Sequence, residues 1–348
     1  MLPGGACVTA QRYLSAPPSP VTLSLMVRPF SLRDWSLLRR LSDEGTLLHA
    51  ESALTRSCQP LRGALFNMVT RGDAATYVWR AENGDSSGFV QLLLPPGQPH
   101  AQLLCLGATP VDGADAEHSS SINEDAWFFL LDGAVAAMGQ RGIHSVIAEV
   151  EETGPELPVL RQAGFAVYTR QDIWCMAGPA PSAGDNQLQL VTEADEWDVE
   201  WLYAHTVPPL IQLVEPTPPQ EGQDWILREG DDLVAVVNLR DGRAATWMRL
   251  FIHPNAQARA GEIVAAATTQ ARPQPDHPVY CCVRRYQSWV QSALLQSGYA
   301  LCQSQAVMVR HVVKSIEKKA AELGARLQTQ PAHQPTMLEG LREPQPFR

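Results

Sequence analysis

The strongest constraint on this chain is that it states one pattern twice. Residues 160–174 read LRQAGFAVYTRQDIW, and residues 294–308 read LLQSGYALCQSQAVM. Gly164 and Gly298 align, each after a Gln and a small residue and before an aromatic. A helix that ends on glycine and runs into a strand explains this. Glycine tolerates the left-handed conformation of a helix C-cap, and the alternating apolar positions that follow read as a strand. Duplication therefore governs the fold.

The elements around the two copies repeat as well. In the first half, 27–30 reads as a strand. The capping-box residues Ser31 and Asp34 open a helix carrying Trp35, Leu38 and Leu41. A second helical face follows Pro60, with Leu61, Leu65, Met68 and Val69. Strands at 76–80 and 88–94 flank the turn Asn83-Gly84-Asp85, and 101–106 completes an antiparallel meander. A polar stretch leads to a helix with Trp127, Leu130, Leu131, Ala134, Val135 and Met138 on one face. A strand at 144–150, a short helix at 155–163 and a strand at 165–176 close the half.

After a linker-like stretch at 177–185, the order returns. It has a strand at 188–191, a cap at Thr192 to Asp195, and a helix beginning with Trp197 and Trp201. A meander at 224–229, 233–239 and 245–253 follows, then a helix at 260–270, a strand at 279–283, a helix at 288–296 and a strand at 301–313. Residues 88–110 align with 232–254 without a gap. Trp35, Trp197, Trp201 and Trp289 fall at helix positions consistent with core packing.

At 348 residues, 45% hydrophobic and 18% charged, either half can bury a core. The formal net charge of −10 and the lack of long basic runs argue against nucleic acid or an anionic membrane as partner. The seven cysteines form no C-x-x-C pair, so buried thiols in a reducing, cytoplasmic compartment are expected rather than disulfides or zinc.

This order of elements resembles the GCN5-related N-acetyltransferase (GNAT) superfamily, present in tandem. The resemblance rests on Val27-Arg28-Pro29-Phe30 with Leu32-Arg33-Asp34, on Ile252-His253-Pro254 closing a meander, and on the joints Gln162-Ala163-Gly164-Phe165 and Gln296-Ser297-Gly298-Tyr299. It covers roughly 27–176 and 188–313. It implies an α+β fold of two tandem GNAT-like (acyl-CoA N-acyltransferase) domains, each a mixed, mostly antiparallel sheet flanked by helices. The boundaries expected are a disordered leader at 1–25, a degenerate first domain at 26–176, a linker at 177–187, a second domain at 188–313, and a helix with a disordered tail at 314–348.

For function the resemblance implies acetyl transfer from acetyl-CoA to the amine of a small molecule, with no metal. The cofactor would lie against Phe251 and Ile252. Backbone N–H groups at Gln257, Ala258, Arg259, Ala260 and Gly261 would meet its pyrophosphate at a helix N-terminus. The corresponding stretch of the first half, 111–123, lacks both the glycine spacing and the basic residue. The family's tyrosine acid falls on Leu160 and Leu294. Tyr286 is the candidate substitute, and Glu229, Glu215 and His253 are the candidate bases. Arg284-Arg285 is either a contact for the 3′-phosphate of CoA or a solvated strand end. The alternative implied by the lost motifs is a catalytically inactive GNAT-like protein that binds a ligand or acts as a scaffold.

Overall fold

The computed structural model describes residues 27–43, 45–56, 74–81, 86–109, 122–179, 188–219 and 221–312. The leader at 1–25, the helix after Pro60, the turn Asn83-Gly84-Asp85, the stretch 111–121, most of the linker and the helix expected after 314 lie outside these residues.

The first half begins with β1 (Val27–Pro29), a 3-10 turn Leu32–Asp34 and α1 (Trp35–Leu41). The Asp34 carboxylate accepts from the Ser31 main chain and hydroxyl, and from both Arg28 guanidinium nitrogens at 2.7 and 2.6 Å. Next come β2 (Thr46–Leu47), α2 (Ala50–Thr55), and the meander β3 (Ala74–Arg80), β4 (Ser87–Leu93) and β5 (His100–Ala108). Helix α3 (Glu124–Gln140), β6 (Ser145–Glu151), α4 (Glu156–Gln162) and β7 (Ala166–Met176) complete it.

The second half repeats the plan. It has β8 (Gln189–Leu190), a 3-10 turn Glu193–Asp195, α5 (Glu196–Thr206), α6 (Pro209–Gln212), β9 (Gln223–Glu229), β10 (Asp232–Asp241) and β11 (Thr246–Ile252). A 3-10 turn Pro254–Arg259 leads into α7 (Ala260–Ala271), β12 (Val279–Arg284), a 3-10 stretch Arg285–Val290, α8 (Gln291–Gln296) and β13 (Ala300–His311). The opening cap recurs here as a Thr192–Asp195 box, with Arg228 on Asp195 at 2.6 Å.

The two glycine joints have one geometry. Gly164 and Gly298 sit at φ +83° and +92°. Behind each, the next amide reaches back over the helix end, from Phe165 to Leu160 O and from Tyr299 to Leu294 O, both at 3.0 Å. That is a glycine C-cap of the Schellman kind. The duplicated α+β plan expected from the sequence, mostly antiparallel strands flanked by helices in each half, is the one observed.

All described strands belong to one sheet, ordered β1-β3-β4-β5-β6-β13-β7-β12-β11-β10-β9-β8, with β2 added on β5. The order at the centre means the halves exchange their last strands. Strand β13 pairs with β6 of the first half, and β7 pairs with β12 of the second. Each core therefore contains side chains from the other half. Ala306 and Met308 join Leu103, Trp127, Leu130, Leu160 and Phe165, while Trp174 and Met176 join Met248, Ile263, Val264, Leu294 and Tyr299. Burying such a side chain contributes about 1.5–3 kcal/mol, so neither half completes its core alone. The described residues fall in one compact unit.

Three expectations are corrected. The ungapped alignment of 88–110 with 232–254 would carry the pair Val90–Leu106 onto Val234 and Leu250, yet Leu250 pairs with Val237. The second hairpin is offset by three residues. Strand β2 and helix α2 had no periodic signal and were not expected. The tryptophans divide: Trp289 packs on the second core, but Trp35 is partly exposed, Trp201 is 42% exposed and Trp197 70%. Helix α5 buries Val199, Leu202 and Tyr203, which leaves Trp197 and Trp201 on its outer face, with Trp201 stacked on His205.

Candidate functional site

Each half contains one parallel pair whose strands diverge, and the divergence is where the resemblance places acyl-CoA. In the first half, β5 and β6 pair only from His100/Ser145 to Gln102/Ile147. The chain itself fills the gap beyond. Strand β2 pairs with Cys105 and Leu106 of β5, the Leu48 amide donates to Leu104 O at 3.0 Å, and the Glu149 amide of β6 donates to Leu48 O at 2.8 Å. The Glu149 carboxylate then accepts from the Ala50 amide at 2.6 Å, at the start of α2. The backbone groups that would meet a cofactor are already bonded to this wedge.

In the second half, β11 and β12 pair from Thr246/Val279 to Arg249/Cys282 and then part. The His253 amide donates to Val234 O at 2.8 Å. Antiparallel alternation then turns the main-chain groups of Phe251 and Arg249 toward β10, and those of Leu250 and Ile252 toward the β12 side. Past Cys282 no described strand pairs with β11 there.

A cavity of about 320 Å³ opens at this divergence, between the halves. The first half contributes His49 and Glu51 from the start of α2, Leu93, Pro95, Pro96 and Gln98 from the β4–β5 corner, and His100 and Gln102 from β5. The second contributes Tyr203, Ile211 and Glu215, Asn238 and Arg240 of β10, Arg249 to Phe251 of β11, Cys282 and Arg284 of β12, and Tyr286. The size is that of a small-molecule site, and the wall is rich in polar and charged side chains beside its apolar ones.

Buried charges organise the wall. Glu215 accepts from Arg284 at 2.8 Å and from the Tyr168 hydroxyl. Burial alone would raise the Glu215 carboxyl, but Arg284, Arg249 and the Tyr168 bond outweigh it and hold it below the ordinary range. Glu51 is likewise held low against burial, by Arg249, His49 and Arg240, and Arg240 donates to it at 2.6 Å. Burial lowers the His100 imidazole, against the opposing pull of Glu215. Burial raises the Cys282 thiol to about 11 and lifts the Tyr286 phenol further, so both keep their protons.

Of the expected site residues, Phe251 and Tyr286 reach the cavity. Ile252 and Ala260 are buried in the second core, and Gln257, Ala258 and Gly261 are exposed at the head of α7. Arg259 donates to Glu229 at 2.7 Å and to Glu262 at 2.9 Å. The only expected cation of the pyrophosphate cradle is thus held between two carboxylates, and Glu229 is its partner rather than a base at the cavity. A Cβ on Gly261 would meet nothing within 4 Å, so no close packing inside the protein requires the glycine. His253 Nδ1 accepts from the Asn255 amide and caps its own turn. The Arg259 side chain is thus engaged within the protein, while Gln257, Ala258 and Gly261 lie at the surface at the head of α7.

Arg284 and Arg285 take neither of the two roles weighed for them. Arg284 turns inward onto Glu215, and Arg285 crosses to Glu152 and Asp172. Arg249, Arg240, His100, Glu51 and Tyr203 also line the cavity and were not expected from the sequence. One signal was available: Arg249 interrupts the otherwise apolar run of β11, and a lone cation in a buried strand marks a polar site. Among the described residues, no group of three or more His, Cys, Asp or Glu is placed to hold a metal, and no helix is long and apolar enough to cross a membrane.

No family model and no curated protein matches the chain. Solved structures are similar to it. A GCN5-related N-acetyltransferase from Sphaerobacter thermophilus is 12% identical, with 83% of this chain and 96% of that one covered and a TM-score of 0.47. A tandem GNAT protein from the clavulanic acid biosynthesis pathway is 13% identical, with coverage of 83% and 99% and a TM-score of 0.45. A GCN5-related N-acetyltransferase from Kribbella flavida is 14% identical, with coverage of 67% and 89% and a TM-score of 0.41.

Proposed function

We propose that this chain is a small-molecule-binding protein built on the tandem GNAT-like fold, with the cavity between its halves as the binding site. The observation that supports this best is the fate of the two cofactor grooves. The first is filled by the wedge at Thr46–Leu47 and Leu48, and the cation beside the second is held by Glu229 and Glu262. A cavity is retained at the second divergence, while the first divergence is filled by the chain itself.

Calorimetric titration of the full chain with acetyl-CoA tests this. The expected result is no saturable heat at millimolar acetyl-CoA, and no change on Arg259→Glu. Saturable binding that Arg259→Glu abolishes overturns the reading.

A second reading, N-acetyl transfer to an amine held in the cavity, draws on one feature. The strands β11 and β12 part onto the cavity wall beside Tyr286, with the Ile252 amide facing the opening. Release of free thiol from acetyl-CoA in the presence of small amines is the measurement that would establish it.

A further inference from the structure

Four buried side-chain polar atoms of residues that line the central cavity have no protein partner: Arg249 Nε, Arg284 Nη1, His100 Nδ1 and Gln102 Oε1. Buried polar groups in native proteins are nearly always satisfied, so four such atoms on one cavity ask for a common explanation. Two of them, on Arg249 and Arg284, are guanidinium nitrogens that can only donate.

The charges point the same way. Every carboxylate lining the cavity is already in an ion pair: Glu215 with Arg284, and both Glu51 and Glu221 with Arg240. Arg249 is different. Its Nε is buried without a bonded partner, and although Glu51 and Glu215 act on it through space, among the described residues no ion pair within 4 Å engages it. A buried guanidinium N–H with no bonded partner is costly unless a ligand supplies an acceptor.

The strand geometry brings the donors together. Arg249 is the register partner of Cys282 across the β11–β12 pair, and Arg284 lies two residues beyond Cys282 on the same face. His100 and Gln102 share one face of β5 by the same alternation. The apolar remainder of the wall includes Phe251, Tyr203 and Ile211, with the Phe251 and Tyr203 rings tilted at 60° and 5.3 Å between centroids.

Resting on the cavity as the binding site, we infer that its ligand is a small molecule with one carboxylate and an apolar body. The carboxylate is read by Arg249 and Arg284, and the body lies on Phe251 and Tyr203. A guanidinium presents parallel N–H groups that match the two oxygens of a carboxylate. No lining carboxylate is left without an arginine to receive an ammonium group.

The test is calorimetry and thermal shift on the full chain with phenylacetate and hexanoate, against the neutral amides of both acids and against hexylamine. The acids are expected to bind at least about tenfold more tightly than their amides, a difference of about 1.4 kcal/mol. Arg249→Met is expected to remove that preference while leaving amide binding in place, and Phe251→Ala to weaken acids and amides alike. Amides that bind as well as the acids overturn the carboxylate inference and leave the cavity reading standing. Tighter binding of hexylamine reverses the charge assignment and overturns it too. If none of the probes binds at millimolar concentration, the cavity reading falls with it. Should Arg249→Met fail to fold, the acid-to-amide ratio on the unmodified chain still decides.

Discussion

Arg240 of β10 donates to the Glu51 carboxylate of α2 at 2.6 Å, with both side chains largely buried, and the pair ties the second half of the chain to the first. Around it, the Ala244 amide donates to Thr55 O at 2.9 Å, and Ala50 packs with Trp247, Ile173 and Cys282. Removing Glu51 leaves the largely buried Arg240 with only the more exposed Glu221 as partner. Glu51→Gln is therefore expected to lower the unfolding free energy by about 3 kcal/mol. Urea unfolding of the variant and parent measures this. The double variant Glu51→Gln with Arg240→Met is expected to recover part of the loss, because it removes the stranded guanidinium.

The wedge that closes the first-half groove depends on Glu149, whose carboxylate caps the Ala50 amide at the head of α2. Helix α2 has only six residues, so its start has little else to define it. Glu149→Ala is expected to cost about 1–2 kcal/mol, the usual range for losing a buried cap. Hydrogen–deuterium exchange should quicken over residues 46–55 and stay slow in β13. Equal quickening in both would show that the carboxylate supports the whole sheet rather than the wedge.

What could be read from the sequence follows from which forces are local. The glycine joints, the Ser31–Asp34 and Thr192–Asp195 boxes and the amphipathic helix α3 are written in spacings of three to seven residues, and all were legible. The exchange of β7 and β13 was not, because both strands have the same alternating pattern whichever neighbour they pair with. The wedge was hidden for a related reason. Strand β2 has two residues, and its partners Cys105 and Glu149 are far away in the chain. The site divided similarly. Phe251 and Tyr286 were found because they flank repeated elements, whereas His100, Glu51 and Arg249 meet only when the halves close on each other. Arg259 looked free in sequence because its partner Glu229 comes from another strand.

The repeated joints make a prediction that distinguishes conformation from packing. At Gly164 and Gly298 the backbone is left-handed, while a Cβ added at either position would meet its neighbours no closer than 3.5 Å. Space is not the obstacle; φ is. Alanine at either glycine is expected to cost about 1 kcal/mol through backbone strain alone. Asparagine, which tolerates this conformation better, is expected to cost less than alanine at both sites. Thermal unfolding of the four variants measures the order. Asparagine as costly as alanine would place the penalty in packing instead.

Glu215 links stability to pH. Burial would raise its carboxyl, but Arg284, Arg249 and the Tyr168 hydroxyl hold it below the ordinary 4.5 in the folded chain. The unfolded chain lacks these partners, so its Glu215 takes up a proton first as the solution is acidified. The stabilisation is therefore complete above the unfolded value of about 4.5 and is lost as pH falls through the lower folded value. Glu215→Gln removes the charge at every pH and leaves Arg284 without its partner. The variant is expected to be about 3 kcal/mol less stable than the parent near neutrality. That gap should narrow steadily once the pH drops below about 4.5. Denaturant midpoints taken across this range read the gap directly. A gap that stays constant down to the lowest pH would mean that Glu215 is not held ionised by the arginines around it.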